Sequence, residues 1–166
     1  MIISKTPYRV SFFGGGSDYP EWYLKNGGEV ISSTVNRYLY ISCRHLPNFF
    51  SHKHRIVYSK IEEVKKITEI QHSVVRELMN NYDKYFNKNG VEIHYDGDLP
   101  ARSGMGSSSC FVVGMIKLIN HFLKNKITKK NLASQSINFE QLKLKEIVGS
   151  QDQVAASYGG FNNITF

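Results

Sequence analysis

The segment LPARSGMGSSSCF, residues 99–111, decides how the rest of the chain is interpreted. Two glycines, Gly104 and Gly106, precede three consecutive serines, and an apolar periodic segment follows them. This order predicts a loop that leads into a helix. At such a junction, free backbone N–H groups and the positive end of the helix dipole favour a bound phosphate. The alternative is an ordinary loop in which a serine is the helix N-cap.

The charge around this loop favours a site for anions. Between Asp98 and Glu140 there is no acidic residue, whereas six basic residues occur there: Arg102, Lys117, Lys124, Lys126, Lys129 and Lys130. The net charge of the whole chain, +7, is compatible with nucleic acid, an anionic membrane surface or small phosphorylated ligands. Because the basic residues are not interleaved with aromatic ones and no zinc-finger or RNP-type motif is present, we expect no nucleic-acid partner.

Length and composition predict one globular domain, since the chain has 166 residues of which 41% are hydrophobic. There is no run of about 18 apolar residues, and the amino terminus becomes polar too early for a signal peptide, so we expect a cytoplasmic protein without a membrane partner.

Cys43 and Cys110 are interpreted as reduced packing residues. His52 and His54 would share one face of a strand, but a third metal ligand is missing there.

The hydrophobic pattern predicts an α+β fold in which a mainly antiparallel sheet packs against three main helices. Alternation predicts strands over residues 1–13 with a break at Pro7, and over 29–34, 36–45, 55–59, 91–95 and 161–166. Helical spacing predicts the main helices over residues 68–87, 107–124 and 131–144, and a short helix that ends at Gly27 and Gly28.

Three carboxylates have both a structural and a functional interpretation. Asp18 lies in GGGSDYPEW, where Asp18-x-x-Glu21 fits a helix capping box. Glu140 lies on the apolar stripe of the helix predicted over residues 131–144, and a buried carboxylate needs a cation. That cation is either a lysine or arginine side chain, or Mg²⁺ bound to nucleotide phosphates and a loop hydroxyl. Asp152 follows a Gly-Ser-Gln loop and by itself fits a helix N-cap.

Three segments together resemble the GHMP kinases, the family of galactokinase, homoserine kinase, mevalonate kinase and phosphomevalonate kinase. The pattern P-x-x-x-G-x-G-S-S-S from Pro100 is similar to the phosphate loop of the family, and no lysine follows the second glycine as in a Walker A loop. PYRVSFFGGGSDY from Pro7 is similar to the first motif of the family. DQVAASYGG from Asp152 is similar to the segment whose carboxylate, in sugar kinases of this family, accepts the proton of the attacking hydroxyl.

The resemblance implies a role for each candidate site residue and a fold like that of the GHMP kinase N-terminal domain. ATP phosphates would be bound by Arg102, Ser103, Gly104, Met105, Gly106, Ser107, Ser108 and Ser109. Mg²⁺ would be held by Ser108 and Glu140. Asp152 would be the catalytic base, and Arg9 would lie near the transferred phosphoryl group. The acceptor sugar or sugar phosphate would be bound by Gly15, Gly16, Ser17, Asp18 and Asp152.

The segment GGGSDYP is most similar to the branch that phosphorylates the anomeric hydroxyl of D-glycero-D-manno-heptose 7-phosphate, for nucleotide-activated heptose and surface glycan synthesis. A kinase for fucose or another unphosphorylated sugar is the alternative, and the oligomeric state stays open. Three residues depart from the family pattern. Arg102 occupies a position where the family usually has a small residue, Met105 replaces the common leucine, and Cys110 replaces alanine.

Full-length family members are longer and carry a further glycine-rich motif in a C-terminal domain. We therefore expect residues 1–166 to form the N-terminal, ATP-binding and catalytic domain of a kinase, with the C-terminal GHMP domain absent from this chain. The competing expectation is a truncated module that binds nucleotide or another protein without turnover.

Overall fold

The computed structural model describes residues 1–101 and 103–166. Within these residues the chain forms an α+β fold, as the sequence predicts. Its strands are β1 Ile2–Phe13, β2 Glu29–His45, β3 His54–Val57, β4 Ile61–Val64, β5 Val91–Gly97 and β6 Phe161–Thr165. Its α-helices are α1 Pro20–Asn26, α2 Ser73–Asn81, α3 Asp83–Phe86, α4 Ser107–Phe122, α5 Lys129–Asn138 and α6 Gln151–Tyr158. No helix of the described residues combines the length and apolarity needed to cross a bilayer.

The sheet is mainly antiparallel, and this prediction is confirmed. The strand order is β1-β2-β5-β3-β4, with β6 paired to β2, and only β3 and β5 run parallel. The prediction of two strands over residues 29–34 and 36–45 is wrong, because β2 is continuous. β1 pairs with both halves of β2, while β6 and β5 pair with its first and second halves. Antiparallel partners on both sides of residues 35–37 keep β2 extended.

The single helix predicted over residues 68–87 is also wrong. That segment forms a 3-10 turn at Ile67–Glu69, followed by α2 and α3. The carboxylate of Glu62 accepts hydrogen bonds from the backbone N–H groups of Gln71 and His72, so these groups are not available to an uninterrupted helix. The apolar spacing is helical, but the hydrogen bonds to Glu62 delay the start of the α-helix to Ser73.

The helices α4, α5 and α6 pack beside one another, and α4 and α6 lie against β1 and β2. Gly114 of α4 allows this close approach, because a Cβ there would lie 2.9 Å from Oγ1 of Thr6 and 3.1 Å from Cδ1 of Ile41. The hydrophobic core lies between this helical layer and the sheet and includes Tyr8, Ile41, Met115, Ile119 and Phe139. This packing brings the amino-terminal ends of α4 and α6 to the side chain of Arg9 on β1.

Candidate active site

The glycine-rich loop has the geometry that the sequence predicts for it. Gly104 and Gly106 adopt positive φ angles of 74° and 75°, which favour glycine, and Gly106 is the N-cap of α4. The first three residues of α4 are Ser107, Ser108 and Ser109. Their N–H groups lack partners within the first turn of an α-helix, so this end of α4 suits an anion. Arg102 lies outside the described residues.

The loop residues that are predicted to bind phosphate differ in solvent exposure. Ser103, Gly104 and Ser108 are exposed, Met105, Gly106 and Ser107 are half-buried, and Ser109 is buried. Ser107 and Ser108 line a cavity of about 250 Å³. Its other walls are His72, Val74, Tyr95, Ala101 and Phe111. This cavity offers a largely apolar, aromatic surface directly beside the loop.

Arg9 and Asp152 form an ion pair beside the loop. Nε and Nη2 of Arg9 donate to the two carboxylate oxygens of Asp152 over 2.6 and 2.8 Å. Nη1 of Arg9 also donates to the carbonyl of Gly104 over 2.9 Å, and its backbone N–H donates to the carbonyl of Met105 over 3.2 Å. Arg9 therefore holds β1, the loop and α6 together.

The N-cap interpretation of Asp152 is wrong, since Ser150 is the N-cap of α6 and Asp152 lies within the helix. A Cβ at Gly106 would lie 3.1 Å from Oδ2 of Asp152. The carboxylate is thus packed against the glycine turn, and its side chain keeps 22% of its surface exposed. A group at this position can contact a ligand held by the loop.

Glu140 is completely buried in a π-helical turn, Phe139–Lys143, that continues α5. The hydroxyl of Ser109 lies 3.1 and 3.0 Å from its two carboxylate oxygens, and Nε2 of Gln153 donates to one of them. Burial raises the pKa of Glu140 to about 7, although the bonds from Gln153 and Ser109 oppose this rise. Its hydrogen-bond partners among the described residues are all neutral, so they do not include the lysine or arginine that the sequence left open.

The structure places Ser109, and not Ser108, in hydrogen-bond contact with Glu140. Successive residues of an α-helix point about 100° apart, so only one of three consecutive serines can face the carboxylate directly. The joint role of Ser108 and Glu140 in holding Mg²⁺ stays a prediction.

Asp18 connects the first glycine segment to α6. Its carboxylate is 1% exposed and accepts hydrogen bonds from the N–H groups of Gly16 and Gln151, both over 3.1 Å. The capping-box interpretation is wrong, because Tyr19 is the N-cap of α1. Asp18 instead binds the start of a helix that is distant in sequence. Its contact with a sugar stays a prediction.

A second cavity, of about 440 Å³, opens between β1, the glycine segment and the phosphate loop. Its walls are Arg9, Val10, Ser11, Phe12, Phe13, Gly14, Gly15, Gly104, Met105 and Gln151. Of the predicted acceptor-binding residues, only Gly15 is among them. The hydroxyl of Ser17 is bonded to the carbonyls of Gly14 and Glu29 over 2.7 and 3.1 Å.

Two glutamines that the sequence motifs do not mark as candidates lie in the site. Gln151 lines the 440 Å³ cavity, and Gln153 donates to Glu140. Both flank Asp152, so the polar cluster SQDQ within a short helix was the available signal. The pattern of polar and apolar residues in so short a helix does not show which face each glutamine occupies.

The chain is similar to known proteins over nearly its whole length. The model of the GHMP kinases N terminal domain matches residues 70–160 of this chain. The chain therefore belongs to the GHMP kinase family. D-glycero-alpha-D-manno-heptose 7-phosphate kinase of Campylobacter jejuni is 30% identical over 99% of this chain and 50% of the relative. Galactokinase of Thermotoga maritima is 24% identical over 98% of this chain and 45% of the relative.

Solved structures show the same fold. A D-glycero-D-manno-heptose 1-phosphate kinase from Bacteriodes thetaiotaomicron has a TM-score of 0.88 and 26% identity, over 100% of this chain and 56% of that one. Methanococcus jannaschii mevalonate kinase has a TM-score of 0.73 and 18% identity, over 98% of this chain and 53% of that one, a likeness of fold alone. The chain spans about half the length of the relatives it matches.

Proposed function

We propose that this chain is the ATP-binding and catalytic domain of a sugar kinase that phosphorylates the anomeric hydroxyl of D-glycero-D-manno-heptose 7-phosphate. The observation that carries the proposal is the ion pair of Arg9 and Asp152, in which Arg9 is bonded to the phosphate loop at Gly104 and also lines the 440 Å³ cavity. The choice of heptose is supported by the names of the similar Campylobacter and Bacteriodes kinases. A product of this kind would serve the synthesis of nucleotide-activated heptose for surface glycans.

The nucleotide would bind along the loop and the amino-terminal end of α4. Residues 103–109 supply backbone N–H groups and serine hydroxyls for the phosphates, and Arg102 is proposed to add a positive charge. The cavity beside Ser107 and Ser108, with Phe111 and Tyr95 in its walls, has the apolar and aromatic character that suits a nucleobase.

Glu140 and a neighbouring loop hydroxyl fit a site for Mg²⁺. The carboxylate is buried, has only neutral hydrogen-bond partners among the described residues, and lies at the start of α4 where phosphates would bind. Carboxylate, hydroxyl and phosphate oxygens are the ligands that Mg²⁺ prefers. When bound, the ion would neutralise phosphate charge during transfer.

The protein's own groups would perform the remaining steps by positioning and charge. Asp152 would accept the proton of the attacking hydroxyl, and the guanidinium of Arg9 would offset negative charge on the transferred phosphoryl group. The two groups are held together by two hydrogen bonds, so they are preorganised before substrate binds. Little covalent chemistry is required of the protein beyond this.

The test is a substrate comparison with the protein that carries this chain. Formation of ADP from Mg-ATP is measured with heptose 7-phosphate, fucose and galactose as single acceptors. We expect the heptose phosphate to give the highest kcat/KM, and Asp152→Asn to lower kcat about 10²–10⁴-fold. The matched control is Asp83→Asn, an exposed aspartate of α3. Faster turnover of fucose would favour the alternative sugar kinase, and tight Mg-ATP binding without turnover would favour a non-catalytic module.

A further inference from the structure

We propose that the side-chain amide of Gln151 binds a hydroxyl group of the acceptor and so contributes to the choice of sugar. The inference rests on the proposed function, because it takes the 440 Å³ cavity beside Arg9 as the acceptor site. Nothing in the sequence pattern or the comparisons assigns a role to this residue.

Gln151 combines burial with an unused hydrogen-bonding group. It is 8% exposed, and its Oε1 is buried without a hydrogen-bond partner among the residues that the structure describes. Buried amide oxygens are nearly always hydrogen-bonded, because leaving one unpaired is unfavourable. The side chain lines the 440 Å³ cavity, and because the terminal torsion of glutamine is broad, the amide can turn Oε1 toward a donor on a ligand there.

The backbone around Gln151 is firmly held, which is what a binding residue needs. Its N–H donates to Oδ2 of Asp18 over 3.1 Å, and the preceding N–H of Ser150 donates to the carbonyl of Asp18 over 2.9 Å. The next residue, Asp152, is held by Arg9. Gln151 therefore has a fixed position relative to the proposed base, and the buried Asp18 acts as its positioning residue.

The chemistry of the amide favours a hydroxyl over a phosphate. Oε1 can only accept, and would repel the oxygens of a phosphate group, whereas a sugar hydroxyl donates to it. The NH₂ group can donate to a neighbouring hydroxyl, so one amide suits two adjacent hydroxyls. Phe12 and Phe13, which are 53% and 72% exposed, provide apolar surface for the C–H face of a sugar in the same cavity.

The glycine segment leaves the space that this contact requires. A Cβ at Gly15 would lie 3.8 Å from Nε2 of Gln151 and 3.7 Å from the hydroxyl of Ser11, which is ordinary contact. Gly15, Ser11 and Gln151 therefore surround one side of the cavity at close range. A side chain larger than alanine at position 15 would occupy the space in front of the amide.

The experiment compares Gln151→Met with the wild type in the protein that carries this chain. Methionine keeps similar length and volume but removes both hydrogen-bonding groups. We expect the KM for the acceptor to rise about 10-fold or more, while the KM for ATP stays within about twofold. Gln135→Met, at an exposed position of α5, is the matched control and should leave both KM values unchanged.

Deoxy analogues of the acceptor, each lacking one hydroxyl, complete a double-mutant cycle. When the missing hydroxyl is the one that Gln151 binds, the wild type should have a higher KM for the deoxy analogue than for the complete acceptor. Gln151→Met should have the same KM for that analogue as the wild type. Equal effects of Gln151→Met on every analogue, or an unchanged acceptor KM, would overturn the inference and leave the proposed function standing. A wild-type protein that neither binds nor phosphorylates any sugar in calorimetry and turnover assays would overturn both.

Discussion

Arg9 and Asp152, which are 143 positions apart in the sequence, face each other through two parallel hydrogen bonds of 2.6 and 2.8 Å. A third bond, from Nη1 of Arg9 to the carbonyl of Gly104, joins this pair to the glycine-rich loop. The proposed base, the proposed phosphoryl-binding arginine and the loop are thus one connected unit.

The first prediction concerns the planar fork of Arg9. Arg9→Lys keeps the charge but cannot maintain both bonds to Asp152 and the bond to Gly104. We expect kcat to fall about 10²-fold, and the free energy of unfolding to fall by about 1–3 kcal/mol because the pair is largely buried. Steady-state kinetics and urea unfolding measure the two effects. Arg37→Lys, at an exposed position of β2, should change neither. A loss of stability with unchanged kcat would contradict the catalytic role.

The second prediction concerns the charge of Glu140. Glu140→Gln should raise the Mg²⁺ concentration for half-maximal turnover about 10-fold or more, because a neutral amide is a weak magnesium ligand. The metal-free variant should unfold at a temperature no lower than that of the wild type, since burial already raises the pKa of Glu140 to about 7 and its partners are neutral. Glu146→Gln, an exposed neighbour, is the control in both the magnesium titration and thermal unfolding. An unchanged magnesium requirement would remove Glu140 from the metal site.

The third prediction separates backbone strain from crowding in the loop. Gly104 and Gly106 have nearly the same positive φ, so alanine at either position costs about 1 kcal/mol. Only at Gly106 would the new Cβ also crowd Asp152, at 3.1 Å, whereas no described atom lies within 4 Å of a Cβ at Gly104. Gly106→Ala should therefore lower kcat/KM about 10-fold more than Gly104→Ala. Equal losses would show that backbone conformation alone matters.

The fourth prediction concerns acid stability and a group remote from the site. Burial by itself would raise the pKa of Glu92, but hydrogen bonds from His94, Arg44 and Arg55 outweigh it and lower the pKa to about 2. A carboxylate with a lowered pKa stabilises the folded state above its unfolded pKa of about 4.5, and this contribution is lost as the pH falls toward 2.

Glu92→Gln should thus lower the free energy of unfolding by about 1–3 kcal/mol at pH 7, after allowance for the half-exposed Arg44, and by much less near pH 2. Urea unfolding across this pH range measures the difference. The side chain of Glu63 is 49% exposed, so Glu63→Gln should change the free energy of unfolding by less than about 0.5 kcal/mol. A penalty for Glu92→Gln that does not vary with pH would indicate packing and not charge.

The local elements with strong signals were predictable from the sequence alone. Glycines before serines and an apolar repeat predict the loop and α4, and the structure confirms both, with Gly106 as N-cap. The short helix that ends at Gly27 is likewise confirmed as α1. These features depend on backbone conformation and periodicity within about one helix, so they need no knowledge of distant residues.

Elements that depend on hydrogen bonds to a neighbouring segment were not predictable. β4 reads IEEV, a charged pattern that does not indicate a strand, and it exists because β3 pairs with it. The helix predicted over residues 68–87 is divided because Glu62, several residues earlier, accepts two of the N–H groups within it. In both cases hydrogen bonds to a nearby segment overrode the local propensity.

The sequence by itself determined the family, the phosphate loop and the set of candidate carboxylates, because short motifs carry these signals. Only the tertiary structure decided what each carboxylate faces: Asp152 meets Arg9, Glu140 meets Ser109, and Asp18 is bonded to the backbone of Gln151. Contacts between residues more than 30 positions apart depend on how helices rotate and pack on the sheet, which periodicity does not encode.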